Sequence, residues 1–405
     1  MELTQPDLSS IRSACQATLA NNWRQGVRHE DGVRFAYTRP SPGHYPFQWY
    51  WDSCFAAIVW RRFEPAHSRA ELGSLLAAQR EDGFIGHTIF WDTRLNERQR
   101  LTYNVLSGDA TMTASIQPPL LAWSWRIAIG DPAEVKAIGR HYDWLAENRD
   151  LDGDGLIWIV QPDESGLDAS PQFDAIWKGH ADDRPGFLEL VRRNRKRGYD
   201  LRRIAAEGGP VCCEVMTNVF YSLSLMALGR PSLTRTIIER CYDERAGLFR
   251  PIAVPEPKTE PTVTWAALSP LALPDLPEAI SRRLVEEHLF DPERFWLPVP
   301  PPSVPATDPT FSRRESRFGI RRYWRGPTWI NAAWLLWLGL VRLGYDEQAE
   351  VFATRLAGAV AAAGLREYYD PYDGAGMGTT DFAWSSLIIE ILDPDPRAAA
   401  SYLPA

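Results

Sequence analysis

Long apolar runs are missing from this chain. Nowhere do roughly 18 apolar residues follow one another, which excludes a conventional membrane-spanning helix and any membrane partner for one. Residues 1–10 lack a basic segment followed by an apolar one, so the sequence reads as a soluble, cytoplasmic protein without an export signal. Cysteine is scarce and odd in number. Cys15, Cys54, Cys212, Cys213 and Cys241 have no metal-ligand spacing and fit a reducing compartment better than a disulfide scaffold, with Cys212 and Cys213 expected on different sides of a helix. Histidine numbers only seven, and His87, His141 and His180 show no paired metal spacing, so no cofactor is expected. A basic excess is also absent: 44 Lys and Arg against 52 Asp and Glu leave a formal charge of -8, which argues against a nucleic-acid partner.

What the chain does have is tryptophan, 17 residues of it. Leu, Ile or Val fill a core without an N–H that needs a partner, so the surplus points to flat faces used in recognition. Flat aromatic faces beside carboxylates suit a small carbohydrate. The sequence does not decide between a monomer and a homo-oligomer.

Helical periodicity recurs, beginning with Leu8, Ile11, Cys15 and Leu19. Ser68 with Glu71 reads as a capping box, and Asp131, Pro132 and Glu134 as the start of a helix through Val135, Ile138, Tyr142 and Leu145. Further helices are expected over 110–129, 213–228, 233–241, 279–287, 328–343, 347–363 and 382–391. Gly83, Gly155 and Gly247 each sit in a turn leading into a short apolar stretch, at irregular intervals that suit helical hairpins with loop insertions. Hairpins closed into a ring would gather those loops at one mouth. The whole of 1–405 is read as one domain, with a charged, helical insertion around 178–210 and Pro-rich loops around 251–310.

Acidic residues in unusual surroundings carry the chemistry. Asp168 lies in Ser165-Gly166-Leu167-Asp168-Ala169-Ser170-Pro171, an irregular loop able to aim a carboxyl into a cavity, where a ring such as Trp177 would raise its pKa; an Asp capping a turn is the alternative. Glu367 follows the helix-ending Gly364 and precedes Tyr368, Tyr369 and Tyr372, whose hydroxyls would orient a water or sugar; a surface Glu beside Arg366 is the alternative. Glycoside hydrolysis needs such a pair, one acid and one base. Asp52, with Tyr50 and Trp51 in Phe47-Gln48-Trp49-Tyr50-Trp51-Asp52-Ser53, reads as a holder of sugar hydroxyls or as a capping Asp among core aromatics. Tyr323-Trp324-Arg325-Gly326-Pro327-Thr328-Trp329 offers an Arg between aromatics before a helix whose first turn Pro327 suits, and Gln117 ahead of Pro118-Pro119 is a further polar contact. Asp150, Asp152, Asp154 and Gly155 match the opening of a calcium loop, but Gln161 stands where its bidentate Glu belongs, so a tight turn is favoured.

Taken in order, the stretches 49–53, 117–119, 164–171, 323–329 and 367–374 resemble glycoside hydrolase family 63 and its trehalase-like and glucoamylase-like neighbours. The resemblance implies an all-α fold, an (α/α)6 barrel of six hairpins with loop insertions at the active-site mouth. It further implies an inverting mechanism with Asp168 as general acid, Glu367 as general base, and Tyr50, Trp51, Asp52, Gln117, Trp177, Trp324, Arg325, Gly326, Trp329 and Tyr368 around the substrate. Lacking a large β-domain, the chain looks most like bacterial mannosylglycerate and glucosylglycerate hydrolases. A glycerate carboxylate would then meet Arg325, Arg322 or an Arg of 184–203. Leu167 stands where many relatives carry Trp, and Ala375 and Met377 alter the turn after Glu367. Other small α-glucosides such as kojibiose or trehalose, an epimerase using His87 or His180, and a non-catalytic sugar-binding protein are the competing readings.

Overall fold

The computed structural model describes residues 7–92, 111–177, 184–317, 320–321 and 323–392. The helix start expected at Ala110, together with His180 and Arg322, lies outside the described residues. Among the described residues no sheet has more than two strands and no helix is long and apolar enough to cross a membrane.

Three helices have no polar face to turn to water. Every residue of α2 (Tyr50–Trp60) is buried, as are all but the last two of α8 (Val215–Ala227) and all but the last of α11 (Ile330–Arg342). A helix that is apolar all round must find neighbours on every side, which puts it inside the molecule. The first five residues of α4 (Leu121–Ala128) and the whole of two 3-10 segments, Trp265–Ala272 and Ala383–Leu387, are buried likewise. These six segments touch in a closed cycle. α2 packs on α4, α4 on α8, α8 on Trp265–Ala272, that segment on α11, α11 on Ala383–Leu387, and the last returns to α2.

Each inner segment has a companion outside it: α3 (Pro65–Ala78) on α2, α5 (Val135–Arg149) on α4, and α9 (Thr234–Cys241) on α8. The π-helical Leu284–Leu289, which continues α10 (Glu278–Arg283), covers Trp265–Ala272, while α12 (Asp346–Ala363) covers α11 and α1 (Leu8–Asn22) covers Ala383–Leu387. Buried charge locks the closure: Glu390, fully buried, accepts from Arg61 at 2.6 Å and Arg62 at 2.5 Å at the end of α2. Asn22 adds amide hydrogen bonds to the carbonyls of Pro40 and Asp381.

Several boundaries differ from the sequence expectation, for identifiable reasons. α4 begins at Leu121, and 111–120 are not helical, because Pro118 and Pro119 lack N–H groups and force extended backbone before them. Cys212 and Cys213 belong to a strand, β1 (Val211–Cys213), paired antiparallel with β2 (Ile252–Val254), so their side chains alternate across a strand, not a helix. α11 starts at Ile330, and Pro327 is not in its first turn, because Thr328 exchanges two backbone hydrogen bonds with Tyr369. Ser68 and Glu71 form no capping box. α3 already starts at Pro65, so Ser68 donates to Ala57 O instead, and Glu71 accepts from Thr38 and Ser53 in the interior.

The glycine turns stand: Gly83, Gly155 and Gly247 have φ of 98°, 90° and 67°. The charged insertion is helical, α6 (Arg184–Lys196) and α7 (Leu201–Ala206), and buried Asn194 ties it to Val160 O and Gln161. At the calcium-like loop, Asp150 accepts from Gly153 N and Gly155 N, while the Arg240 guanidinium bridges Asp152 and Asp154 at 2.5 and 2.8 Å. A protein cation thus occupies the place of a metal, and among the described residues no cluster has the ligands to hold one.

Candidate active site

The N-terminal ends of the inner segments meet. Asp52 lies in the first turn of α2, Glu214 caps α8 through Thr217 N, Thr264 precedes Trp265–Ala272, and Trp329 precedes α11. Gln117, ahead of α4, accepts the Trp51 N–H at 2.9 Å; Gln172 bridges Glu214 and Thr264. Trp384 packs edge-on to both Trp51 and Trp329.

Glu367 arrives on a hairpin of β3 (Arg366–Tyr369) and β4 (Gly376–Thr380), where the register slips between Arg366 and Tyr368. Single Glu367 therefore opposes both Gly378 and Thr379, and such a bulge re-aims the side chain it carries. The carboxylate is fully buried and gripped at both oxygens: Thr379 N donates to Oε2 at 3.1 Å, and the hydroxyls of Tyr45, at 3.0 Å, and Tyr323 both donate to Oε1. Gly378 has to be glycine here. Its φ is 65°, and a Cβ would stand 2.6 Å from Glu367 Oε2. The neighbouring phenols expected to serve the site do other work, with Tyr369 closing its own turn to Gly364 O and Arg366 N and Tyr372 lying exposed against Arg313.

Asp168 sits on the loop between α5 and α8, flanked by two left-handed residues, Gly166 at φ 70° and Ala169 at φ 58°. A left-handed alanine is strained backbone, held only where its surroundings dictate it. The anchor is Glu164, fully buried, which pairs two-pronged with Arg149 at 2.7 and 2.8 Å and also accepts Val160 N and Ile116 N. Trp51 presses on the same loop: a Cβ on Gly166 would lie 2.6 Å from its ring. Asp168 itself remains partly exposed, while Trp177 is buried edge-on to Phe173.

Asp52 connects the two. Burial first, then the negative charge of Glu367 and in smaller measure that of Asp168, push its carboxyl well above the usual carboxylate range. All three acidic groups therefore share one electrostatic neighbourhood, in which a protonated Asp52 has a hydrogen bond to give. Around them runs a chain of rings. Trp324 stacks on Trp329 at 3.8 Å, Trp265 lies parallel beyond Trp324, and Tyr368 meets Trp329 at 4.5 Å. The indole N–H groups of Trp177, Trp265, Trp324 and Trp329 are buried without an acceptor among the described residues, which is costly unless something else accepts from them. Tyr50 packs against His141, and Gly326, at φ 147°, lets the backbone pass Ser312 O where a Cβ would be 2.3 Å away. Arg325 holds Asp174 two-pronged. His87 lies 3.7 Å from Asp163, and burial drives its pKa down to about 3, which keeps it neutral.

Residues 45–385 match the family described as the mannosylglycerate hydrolase MGH1-like glycoside hydrolase domain. The chain belongs to this family of glycoside hydrolases. It is 27% identical to a mannosylglycerate hydrolase of Rubrobacter radiotolerans, over 87% of this chain and 92% of that one. A glucosylglycerate hydrolase of Mycolicibacterium hassiacum is 26% identical over 87% and 93%. The fold of the chain superposes on a crystal structure of the family 63 mannosylglycerate hydrolase of Thermus thermophilus in complex with glucose, with a TM-score of 0.76, 26% identity and coverage of 94% and 99%.

Four residues around the Glu367 carboxylate were not singled out by the sequence-level reading. Tyr45 stands 322 positions from Glu367 and Tyr323 stands 44 away, so no local pattern joins them to it. Gly378 and Thr379 had a signal available, since a Gly-Thr pair opposite an acidic residue in a short hairpin marks a bulge.

Proposed function

We propose that the chain hydrolyses a small α-glycoside with inversion, most specifically glucosylglycerate or mannosylglycerate, to free hexose and glycerate. The single observation that carries this reading is the grip on Glu367, two phenols and one backbone N–H fixing a buried carboxylate that faces the same neighbourhood as Asp168. In this reading Asp168 gives its proton to the glycosidic oxygen as the bond to the anomeric carbon breaks. Glu367 takes a proton from a water that attacks the anomeric carbon from the opposite face, so the released hexose carries the inverted configuration. Room for that water calls for carboxyls roughly 6.5–9.5 Å apart. Asp52 and Trp51 hold the sugar ring, with Gln117 fixing Trp51 by its backbone, and the buried indoles of Trp324, Trp329 and Trp177 together with Tyr50, Gly326 and Tyr368 shape the pocket. We read the chain as one catalytic domain, an (α/α)6 barrel, a reading supported by the cyclic order of inner and outer segments, and as cytoplasmic, in keeping with its five buried thiols.

The test is a panel of glucosylglycerate, mannosylglycerate, kojibiose and trehalose given to wild type, Asp168→Asn and Glu367→Gln, with the anomer of the first-formed sugar followed by NMR. We expect a β-hexose first and a loss of roughly 100-fold or more in kcat for either variant. An α-hexose as first product, or full activity in either variant, overturns the assignment.

A further inference from the structure

We infer that Arg325 and Asp174 form a positioning clamp that fixes the loop of the acid against the loop of the base, and that this, not contact with substrate, is what Arg325 does. The inference rests on the hydrolase reading above and assigns it two further residues. Asp174 opens the helical turn Asp174–Trp177, six positions after Asp168 and joined to it through the 3-10 turn Pro171–Phe173. Arg325 follows Tyr323, whose hydroxyl is on Glu367, by two positions. Between the two loops the guanidinium Nη1 and Nη2 meet Asp174 Oδ2 and Oδ1 at 2.7 and 2.5 Å.

Each half of the clamp is stiff behind its charged group. On the base side, Arg325 O accepts Ser312 N, Gly326 N donates to Ser303 Oγ, and Thr328 is paired through the backbone with Tyr369, two residues past Glu367. On the acid side, Gln172 and Phe173 are buried between Asp168 and Asp174. Two parallel N–H···O bonds fix rotation as well as distance, which a single contact or a lysine would not. The acid and base are far apart in sequence, so their separation depends on cross-links between loops. This one runs from the acid's loop to Arg325, two positions from the Tyr323 that holds the base. A displacement of about 1 Å in such a constellation costs on the order of 100-fold in rate.

The exposures fit a clamp better than a ligand-binding fork. The Arg325 side chain is 9% exposed while that of Asp174 is 45% exposed, so the cation is committed inward and its partner approaches from the rim. A glycerate carboxylate would have to displace Asp174 from the two-pronged contact it already makes.

The experiment compares wild type, Asp174→Asn, Arg325→Lys and the double variant on glucosylglycerate and on glucosylglycerol, the same aglycone skeleton without its carboxylate, with thermal unfolding of each. For both substrates we expect kcat to fall about tenfold or more in each single variant with KM changed by less than about twofold, and the double variant to be no worse than the singles. Asp174 is half-exposed, so Asp174→Asn reports even if Arg325→Lys unfolds. Unchanged kcat in folded Asp174→Asn overturns the clamp, as does a KM rise confined to Arg325→Lys on glucosylglycerate, which would make Arg325 a carboxylate ligand. A wild type inactive on every α-glycoside refutes the hydrolase reading and the clamp's purpose with it, whereas an active wild type with unaffected variants refutes the clamp alone.

Discussion

At the scale of single residues, Glu367 is defined less by its own position than by what surrounds its two oxygens. Gly378 is the most exacting of those neighbours, since it needs a left-handed backbone and leaves no space beside Glu367 Oε2. Gly378→Ala therefore carries two effects: about 1–2 kcal/mol of backbone strain, and a methyl group that pushes the carboxylate aside. We expect kcat to drop about tenfold or more while the protein stays folded, read by steady-state kinetics alongside thermal unfolding. A variant with wild-type kcat would mean that the carboxylate tolerates displacement. Asp168 and Glu367 were singled out as candidates in the sequence because their motifs are local, and the fold brings both charges to bear on Asp52. Tyr45 and Tyr323 were not, because what makes them important is a contact across the fold, and the nearby Tyr369 and Tyr372 offered a plausible but wrong source for the same hydroxyls.

Elements were legible where one force decided them. Periodicity located the start of α1, and α9 and α12 to within a residue or two, since an apolar stripe against a core is enough to call for a helix. Boundaries failed where tertiary pairing competed. Thr328 had helical neighbours but found its partner in Tyr369, and Cys213 found Ile252 across a strand pair. The loop of Asp168 shows the same dependence on distant partners. It has no regular hydrogen-bond ladder, and Glu164 holds it by pairing with Arg149 at the end of α5 and by accepting two backbone N–H groups from separate segments. Both side chains are at most 1% exposed, so removing one charge strands the other in the interior. Glu164→Gln should lower the unfolding free energy by about 3–5 kcal/mol, measured as a fall in the urea midpoint at constant slope. An unfolding free energy within about 0.5 kcal/mol of wild type would show that water or rearrangement replaces the pair.

For the molecule as a whole, the closed cycle of helices forces polar groups inward wherever an inner segment begins, and the buried titratable groups make stability depend on pH in a defined way. Glu71, enclosed by Thr38 and Ser53 with Asp52 close by, is pushed up to about 8 by burial, from a usual value of 4.5. Asp52 and Glu214 are raised in the same direction, again mainly by burial. A raised carboxyl keeps its proton in the folded protein after the unfolded chain has lost it, so its contribution falls as pH climbs from 4.5 towards the folded value. His87 and His141 act oppositely, being driven down to about 3 and about 4 by burial. Their contribution is complete above 6.5 and is lost as pH falls towards those values, because only the unfolded chain takes up the protons. Between 4.5 and 6.5 the two sets oppose each other. Between 6.5 and 8 the histidines are silent and only the carboxyls act, so stability should fall with rising pH, Glu71 alone giving a slope of about 1.4 kcal/mol per pH unit. Glu71→Gln keeps the shape of the side chain and removes its titration, so the fall between pH 6.5 and 8 should become shallower by about that slope. Urea unfolding of both proteins at several pH values decides it, and parallel curves over that interval would mean that Glu71 is already ionised in the fold.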